Sequence, residues 1–287
     1  MTEKTFFLGL GGQKCGSTWI QSYLARQPDS DFGRLGEYQV WEHRLGGVFA
    51  RYEVPAPGLA ERLRARLKTS FGGSEPAQHL RWRLQSDPDA YFDYFAALLD
   101  RPGIARTGDI TPSYAALPPE MLARIRDGFA ARGIRTKAIF SMRDPVDRLR
   151  SHMRMEMAKE RLATDETNAA PLRDFYATGE AAARSRYDQT LQALDEVFDP
   201  EDRLVCLFES LFTENGIAAL SDFAAVPCDP SRGGSAVNAR SKGAGGIPEE
   251  LMRDIAQHYR PAYLAAEARL PEIRELWPSA RFALTSA

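Results

Sequence analysis

Apolar positions follow two rhythms along this chain. Short, unbroken apolar runs occur at Thr5-Phe6-Phe7-Leu8-Gly9-Leu10, Thr136–Met142 and Arg203–Phe208, with a weaker one over Ile104–Ile110. Runs of this length predict strands buried on both faces. Residues at helical spacing follow them. Ile20, Tyr23 and Leu24 come after the first run, and Met121, Leu122, Ile125 and Phe129 lie between Pro118-Pro119 and Gly133. Tyr187, Leu191, Leu194 and Phe198 mark another helix. One more begins at Asp144-Pro145, where an acidic cap precedes a proline at the first helical position. Strands alternating with helices predict a three-layer α/β/α fold around a parallel sheet, whose ligands bind beyond the C-terminal strand ends.

Two stretches break the alternation. Residues 46–107 carry Phe49, Tyr52, Phe71, Trp82, Tyr91, Phe92, Tyr94 and Phe95 around Gly72-Gly73, and predict a largely helical cap inserted into one domain spanning 1–287. Residues 227–248, rich in Gly, Ser and Pro, predict a long loop of the kind that often carries function.

The connection after the first strand carries the most chemistry. Gly11-Gly12-Gln13-Lys14-Cys15-Gly16-Ser17-Thr18-Trp19 is a glycine turn between a strand and a helix, which presents backbone N–H groups at the positive end of the helix dipole. Lys14 adds charge, while Ser17 and Thr18 add hydroxyls expected to cap the helix. Cys15 is either a small residue filling the turn or an activated thiol. The triphosphatase loop places its Lys after the last glycine; here Lys14 precedes Gly16. A second segment, Arg143-Asp144-Pro145-Val146-Asp147-Arg148-Leu149-Arg150-Ser151, starts where a strand ends. Arg143 can fork onto a phosphate from there, with Ser151 two turns into the helix, or it can pair with a neighbouring carboxylate.

Net charge limits the partners. At −2 over 287 residues no basic field points to nucleic acid, so an anion site must be local. The N-terminal apolar run is too short for a signal peptide or a membrane span. Cys15, Cys206 and Cys228 form no C-x-x-C pair, which argues against a disulfide framework and a zinc site. A cytoplasmic protein without membrane insertion is expected, and a homo-oligomer is compatible with this.

The order Lys14-Cys15-Gly16-Ser17-Thr18-Trp19 closely resembles the loop of sulfotransferases that use 3′-phosphoadenosine 5′-phosphosulfate (PAPS), where it holds the 5′-phosphosulfate. The Arg143…Ser151 segment resembles that family's 3′-phosphate element. Arg240-Ser241-Lys242-Gly243 resembles the element closing over the same phosphate; Lys242 and Gly243 align, whereas Ser241 takes the position of the family arginine. By the same resemblance Trp19 and Tyr187 lie near the adenine, although each also reads as a core aromatic. The resemblance implies a P-loop-like sulfotransferase fold, PAPS as co-substrate, no metal, and a small-molecule or carbohydrate acceptor. In Gly36-Glu37-Tyr38-Gln39-Val40-Trp41-Glu42-His43 it implies Glu37 as the base, although Gly36 stands where the carbohydrate-modifying members carry Lys. His43 is the alternative base, and Glu42 with Arg44 reads as an exposed ion pair. Asp109-Ile110-Thr111-Pro112-Ser113-Tyr114 is similar to an acceptor-side segment, with Ile110 in place of its lysine; Thr111 and Ser113 line the acceptor pocket or belong to a turn around Pro112. Two other readings remain: a P-loop nucleotide or small-molecule kinase, and a non-catalytic nucleotide-binding protein of the same fold.

Overall fold

The computed structural model describes residues 3–159, 169–233 and 247–284. Four parallel strands form the sheet in the order β2-β1-β3-β4: β1 (Thr5–Gly9), β2 (Arg106–Ile110), β3 (Arg135–Met142) and β4 (Arg203–Leu207). Phe7 lies opposite Gly108 on one side and Lys137 on the other, and Ile139 lies opposite Leu204. Leu10 and Phe208 fall just past the strands yet still donate to them, Leu10 to the Ile139 carbonyl (2.8 Å) and Phe208 to that of Met142 (2.7 Å).

The helices are α1 (Ser17–Ala25), α2 (Leu59–Ser70), α3 (Ala77–Ser86), α4 (Pro88–Leu99), α5 (Pro119–Ala130), α6 (Pro145–Lys159), α7 (Ala170–Phe175), α8 (Gly179–Ala182), α9 (Tyr187–Val197), α10 (Glu214–Ala224), α11 (Glu249–His258) and α12 (Arg260–Arg269), followed by two short turns of helix. Every residue of β1 is buried, and alternation sends its side chains into two cores. Phe6 and Leu8 enter the larger one, where Phe6 stacks on Phe129 of α5 (3.9 Å between centroids) and meets Phe95 of α4 edge-on (4.9 Å). Phe7 enters the other, with Ile20 and Leu24 of α1 and Ile217 and Leu220 of α10. Helices thus cover both faces, the expected three layers.

Residues 46–107 are largely helical as far as Leu99 and run into β2 at Arg106, and their helices behave differently. Tyr91, Phe92 and Phe95 of α4 belong to the main core, whereas α2 buries no side chain. From β1 the chain crosses to β2 on one side, and from β3 to β4 on the other. The C-terminal ends of β1 and β3 therefore flank the topological switch point, where ligands of open α/β sheets bind.

Candidate functional site

The Lys14 loop leaves β1 at this switch point. Its glycines let the backbone run close to its neighbours: a Cβ on Gly11 would come within 2.4 Å of Ser141 Oγ, and one on Gly12 within 3.2 Å of the Arg184 carbonyl oxygen. Lys14 (φ 73°) and Gly16 (φ 91°) both adopt left-handed backbone, which bends the chain into α1. Gly16 is the residue that precedes the helix, and neither Ser17 nor Thr18 caps it, contrary to the sequence reading. Both hydroxyls follow the cap position, because the left-handed turn at Gly16 starts the helix one residue before them. The Gly16 carbonyl takes the N–H groups of Trp19 (2.9 Å) and Ile20 (3.1 Å). Those of Gly16, Ser17 and Thr18 donate to no backbone carbonyl among the described residues, and no acid stands in the first turn. A strong dipole end with uncommitted donors suits an anion.

Arg143 leaves β3 beside this loop. Its Nη1 donates to the Lys14 carbonyl (3.4 Å), its guanidinium lies 4.5 Å from the Phe208 ring centre, and its Nε is buried without a hydrogen-bond partner. Asp144, the nearest carboxylate in sequence, does not pair with it. That group takes the N–H of Val146 (3.0 Å) and of Ser279 (2.9 Å) and the Tyr263 hydroxyl (2.7 Å), and burial raises it to about 6. The Tyr187 hydroxyl donates to the Arg143 carbonyl (2.9 Å) and lies 3.9 Å from Cys15 Sγ. Lys14, Cys15, Arg143 and Tyr187 are therefore one contiguous group. The Cys15 thiol is pushed by burial to about 11, away from the thiolate form. Trp19 is buried, stacked on Tyr23 (5.2 Å) and edge-on to Phe212 (5.3 Å), and Tyr187 is buried as well. Thr18 is exposed, and Ser151 is half-buried in α6. Ser241, Lys242 and Gly243, with Arg240, lie outside the described residues.

Beneath the loop lies a cationic group to which the sequence reading gave no role. Arg148 is fully buried, with Nη2 on Ser185 Oγ (2.6 Å) and the Ala181 carbonyl (3.3 Å), and its Nε has no hydrogen-bond partner. Its Cδ lies 3.7 Å from where a Gly12 Cβ would stand. Buried Arg184 donates to the Tyr52 hydroxyl (2.8 Å). His152 stacks on Phe175 (5.0 Å) and is held down at about 4 by burial and then by Arg148 and Arg184. The signal for Arg148 was its place one turn into the helix that Asp144 opens. Arg184 and His152 gave none. Glu209, just past β4, accepts from Trp277 Nε1 (3.0 Å) and is raised by burial to about 7.

The second flank follows α1. Glu37 keeps surface access, yet crowding around its carboxyl and then the charge of Asp109 raise its pKa. Arg81 of α3 holds this segment by donating to the Glu37 and Tyr38 carbonyls (2.9 Å each). His43 is half-buried, its Nδ1 has no hydrogen-bond partner, and burial lowers its pKa. Glu42 and Arg44 are not an exposed pair: Glu42 is fully buried and accepts from the Ser113 hydroxyl (2.6 Å), while Arg44 donates to the Gln85 carbonyl (3.1 Å). Glu42 turns inward to the buried Pro112–Ala116 turn, whose Ser113 meets its carboxyl. Burial raises Glu42 to about 7. Asp109, at the end of β2, accepts from Thr111 Oγ1 (2.6 Å), Tyr114 Oη (2.7 Å) and Tyr91 Oη (3.1 Å), and burial raises it to about 6. The hydroxyls of Thr111 and Ser113 are thus engaged with buried carboxyls. Among the described residues no group of three or more His, Cys, Asp or Glu could hold a metal, and no helix is long and apolar enough to cross a membrane.

The fold has counterparts of known structure. A sulfotransferase from Alicyclobacillus acidocaldarius superposes with a TM-score of 0.57 at 17% identity, over 94% of this chain and 97% of that one. The sulfotransferase domain of the Synechococcus PCC 7002 olefin synthase superposes with a TM-score of 0.52 at 17% identity, over 93% and 94%. No family model matches the chain, and no curated protein is similar to it in sequence. The fold is that of these sulfotransferases.

Proposed function

We propose that this chain is a PAPS-dependent sulfotransferase that moves a sulfonyl group to a hydroxyl or amine of a small-molecule or carbohydrate acceptor. The observation that carries the reading is the joining of Lys14 and Arg143 at the switch point, with Arg143 free of any carboxylate within ion-pair distance among the described residues. Two phosphate-bearing positions on one nucleotide would use two separate cationic points, for which Lys14 and Arg143 are the candidates. The buried, unpartnered Nε of Arg143 fits a ligand that brings its own anion.

PAPS supplies the sulfonyl group and leaves as the 3′,5′-bisphosphate. The Lys14 loop would hold the 5′ side through its N–H groups and the Ser17 and Thr18 hydroxyls, with Arg143 and Ser151 on the 3′-phosphate. Cys15 and Gly16 shape the loop, and Trp19 and Tyr187 support the base side, Tyr187 by fixing the Arg143 backbone. Ser241, Lys242 and Gly243 complete the site in this reading. Lys14 would stabilise charge growing on the departing phosphate oxygen, an interaction made mainly in the transition state. Glu37 would take the acceptor proton: its raised pKa brings it nearer the ambient range, and its access to the surface lets an acceptor reach it. His43 is less suited, since burial has lowered its basicity. A kinase reading is disfavoured by the position of Lys14 and by the lack of a metal-holding carboxylate group among the described residues. Turnover of PAPS with a panel of hydroxyl and amine acceptors tests the proposal; binding of the bisphosphate without turnover of any acceptor would leave only a nucleotide-binding protein.

A further inference from the structure

Among the described residues, the exposed large hydrophobics are Leu59, Leu63, Leu67, Phe71 and Leu264. The first four recur every fourth residue along α2 and its C-cap, which makes them a single stripe. They are exposed by 85%, 61%, 53% and 88% respectively, so the stripe faces solvent over its full length. The helix meets the rest of the protein by its other side: Ala65 is its one half-buried residue, and Arg62 lies over the Trp82 ring of α3 (4.8 Å). At about 100° per residue, Arg62 and Arg66 border one edge of the stripe and Arg64, followed by Lys68, borders the other. Glu61, the only acid of α2, lies on the far side and reaches back to the Gly58 N–H (2.9 Å).

We propose that α2 is an interfacial helix that docks the protein onto an anionic lipid surface. A solvent-facing stripe of Leu and Phe between basic edges is the pattern of a helix that lies in the headgroup plane. The apolar side chains enter the acyl boundary while the arginines on both edges meet anionic headgroups. The helix rests on the bilayer and is far too short to cross it. A second copy of the chain is a poorer partner. Pairing α2 with α2 sets basic edges against basic edges, and Leu264 alone offers no matching apolar face among the described residues. The inference does not depend on the proposed reaction.

Co-sedimentation of the whole protein with vesicles tests it. Vesicles containing phosphatidylglycerol should bind it roughly tenfold or more tightly than phosphatidylcholine alone, and added salt should weaken the binding. Leu63→Glu/Leu67→Glu and, separately, Arg64→Glu/Arg66→Glu should each abolish most of it. Far-UV circular dichroism should stay unchanged in both variants, since α2 buries no side chain. Wild-type protein remaining in the supernatant with both vesicle types would overturn the proposal. So would equal binding to both vesicle types that the arginine variant leaves intact. A wild-type dimer in light scattering that Leu63→Glu/Leu67→Glu splits into monomers would assign the stripe to self-association instead.

Discussion

In the proposed reaction, two cations with different surroundings would divide the work at the switch point. Lys14 sits in a left-handed turn, and Arg143 hangs between the Lys14 carbonyl and the Phe208 ring with an unpartnered Nε. Lys14→Ala should cut turnover by ~10²–10³ while weakening binding of the bisphosphate product far less, as steady-state kinetics beside calorimetry would show. A variant with near-normal turnover would remove Lys14 from the mechanism. Arg143→Ala should erase the preference for nucleotides bearing a 3′-phosphate, a loss of ~2–4 kcal/mol read by competition binding. Equal weakening toward both nucleotide types would assign Arg143 to structure. Glu37→Gln should leave donor affinity intact, abolish most turnover and remove the acid limb of the pH–rate profile; activity that survives there but is lost in His43→Ala would move the base to His43. Residues were legible in the sequence where backbone chemistry fixes them. Lys14 and Gly16 fall in a strand-to-helix turn and Arg143 ends a strand, so local pattern located all three. Glu42 was misread because nothing local reports that Ser113, far along the chain, closes over its carboxyl.

At the scale of elements, apolar runs located all four strands within one or two residues: β1, β2 and β3 are buried along most of their length, and β4, buried only at Leu207, was still marked by its apolar run. The segment over 46–107 was legible only as helical. Which helix joins the core depends on Phe6 and Phe129 meeting α4, long-range contacts that no local pattern carries. The helix-starting turn gives a direct test: Gly16→Ala puts a Cβ at left-handed φ within 2.7 Å of Leu211, and should destabilise the fold by about 1 kcal/mol or more in denaturant unfolding. The junction of the Glu42–Leu45 and Pro112–Ala116 turns stores a different cost. Glu42 is raised to about 7 against 4.5 for a free carboxyl, so between these values the folded state holds a proton that the unfolded state has lost. Its contribution to stability is full below about 4.5 and is lost as pH rises towards 7. Glu42→Gln should therefore stabilise the protein relative to wild type at pH 8 more than at pH 5, on the order of a few kcal/mol in thermal or denaturant unfolding. The same difference at both pH values would mean that the carboxyl does not titrate between them.

Across the whole molecule, a neutral-to-acidic chain concentrates positive charge at one sheet edge. Net charge is −2, yet Arg143 and Arg148 lie against the Lys14 loop at the β1–β3 switch point, each with a buried Nε that has no hydrogen-bond partner, while Arg184 nearby is ion-paired with Glu180 (3.7 Å). Arg143 is half-buried beside the loop, and Arg148 is sealed beneath it. Such a site should distinguish nucleotides by where their phosphates sit rather than by how many they carry. The most direct test is calorimetric titration of the protein with 3′-phosphoadenosine 5′-phosphate, with adenosine 5′-monophosphate and with ATP in the presence of magnesium. The account predicts that the bisphosphate binds at least roughly thirtyfold more tightly than the monophosphate, the scale of one lost charge-assisted contact, and more tightly than ATP. Tighter binding of magnesium ATP, or no preference for the 3′-phosphate, would contradict it.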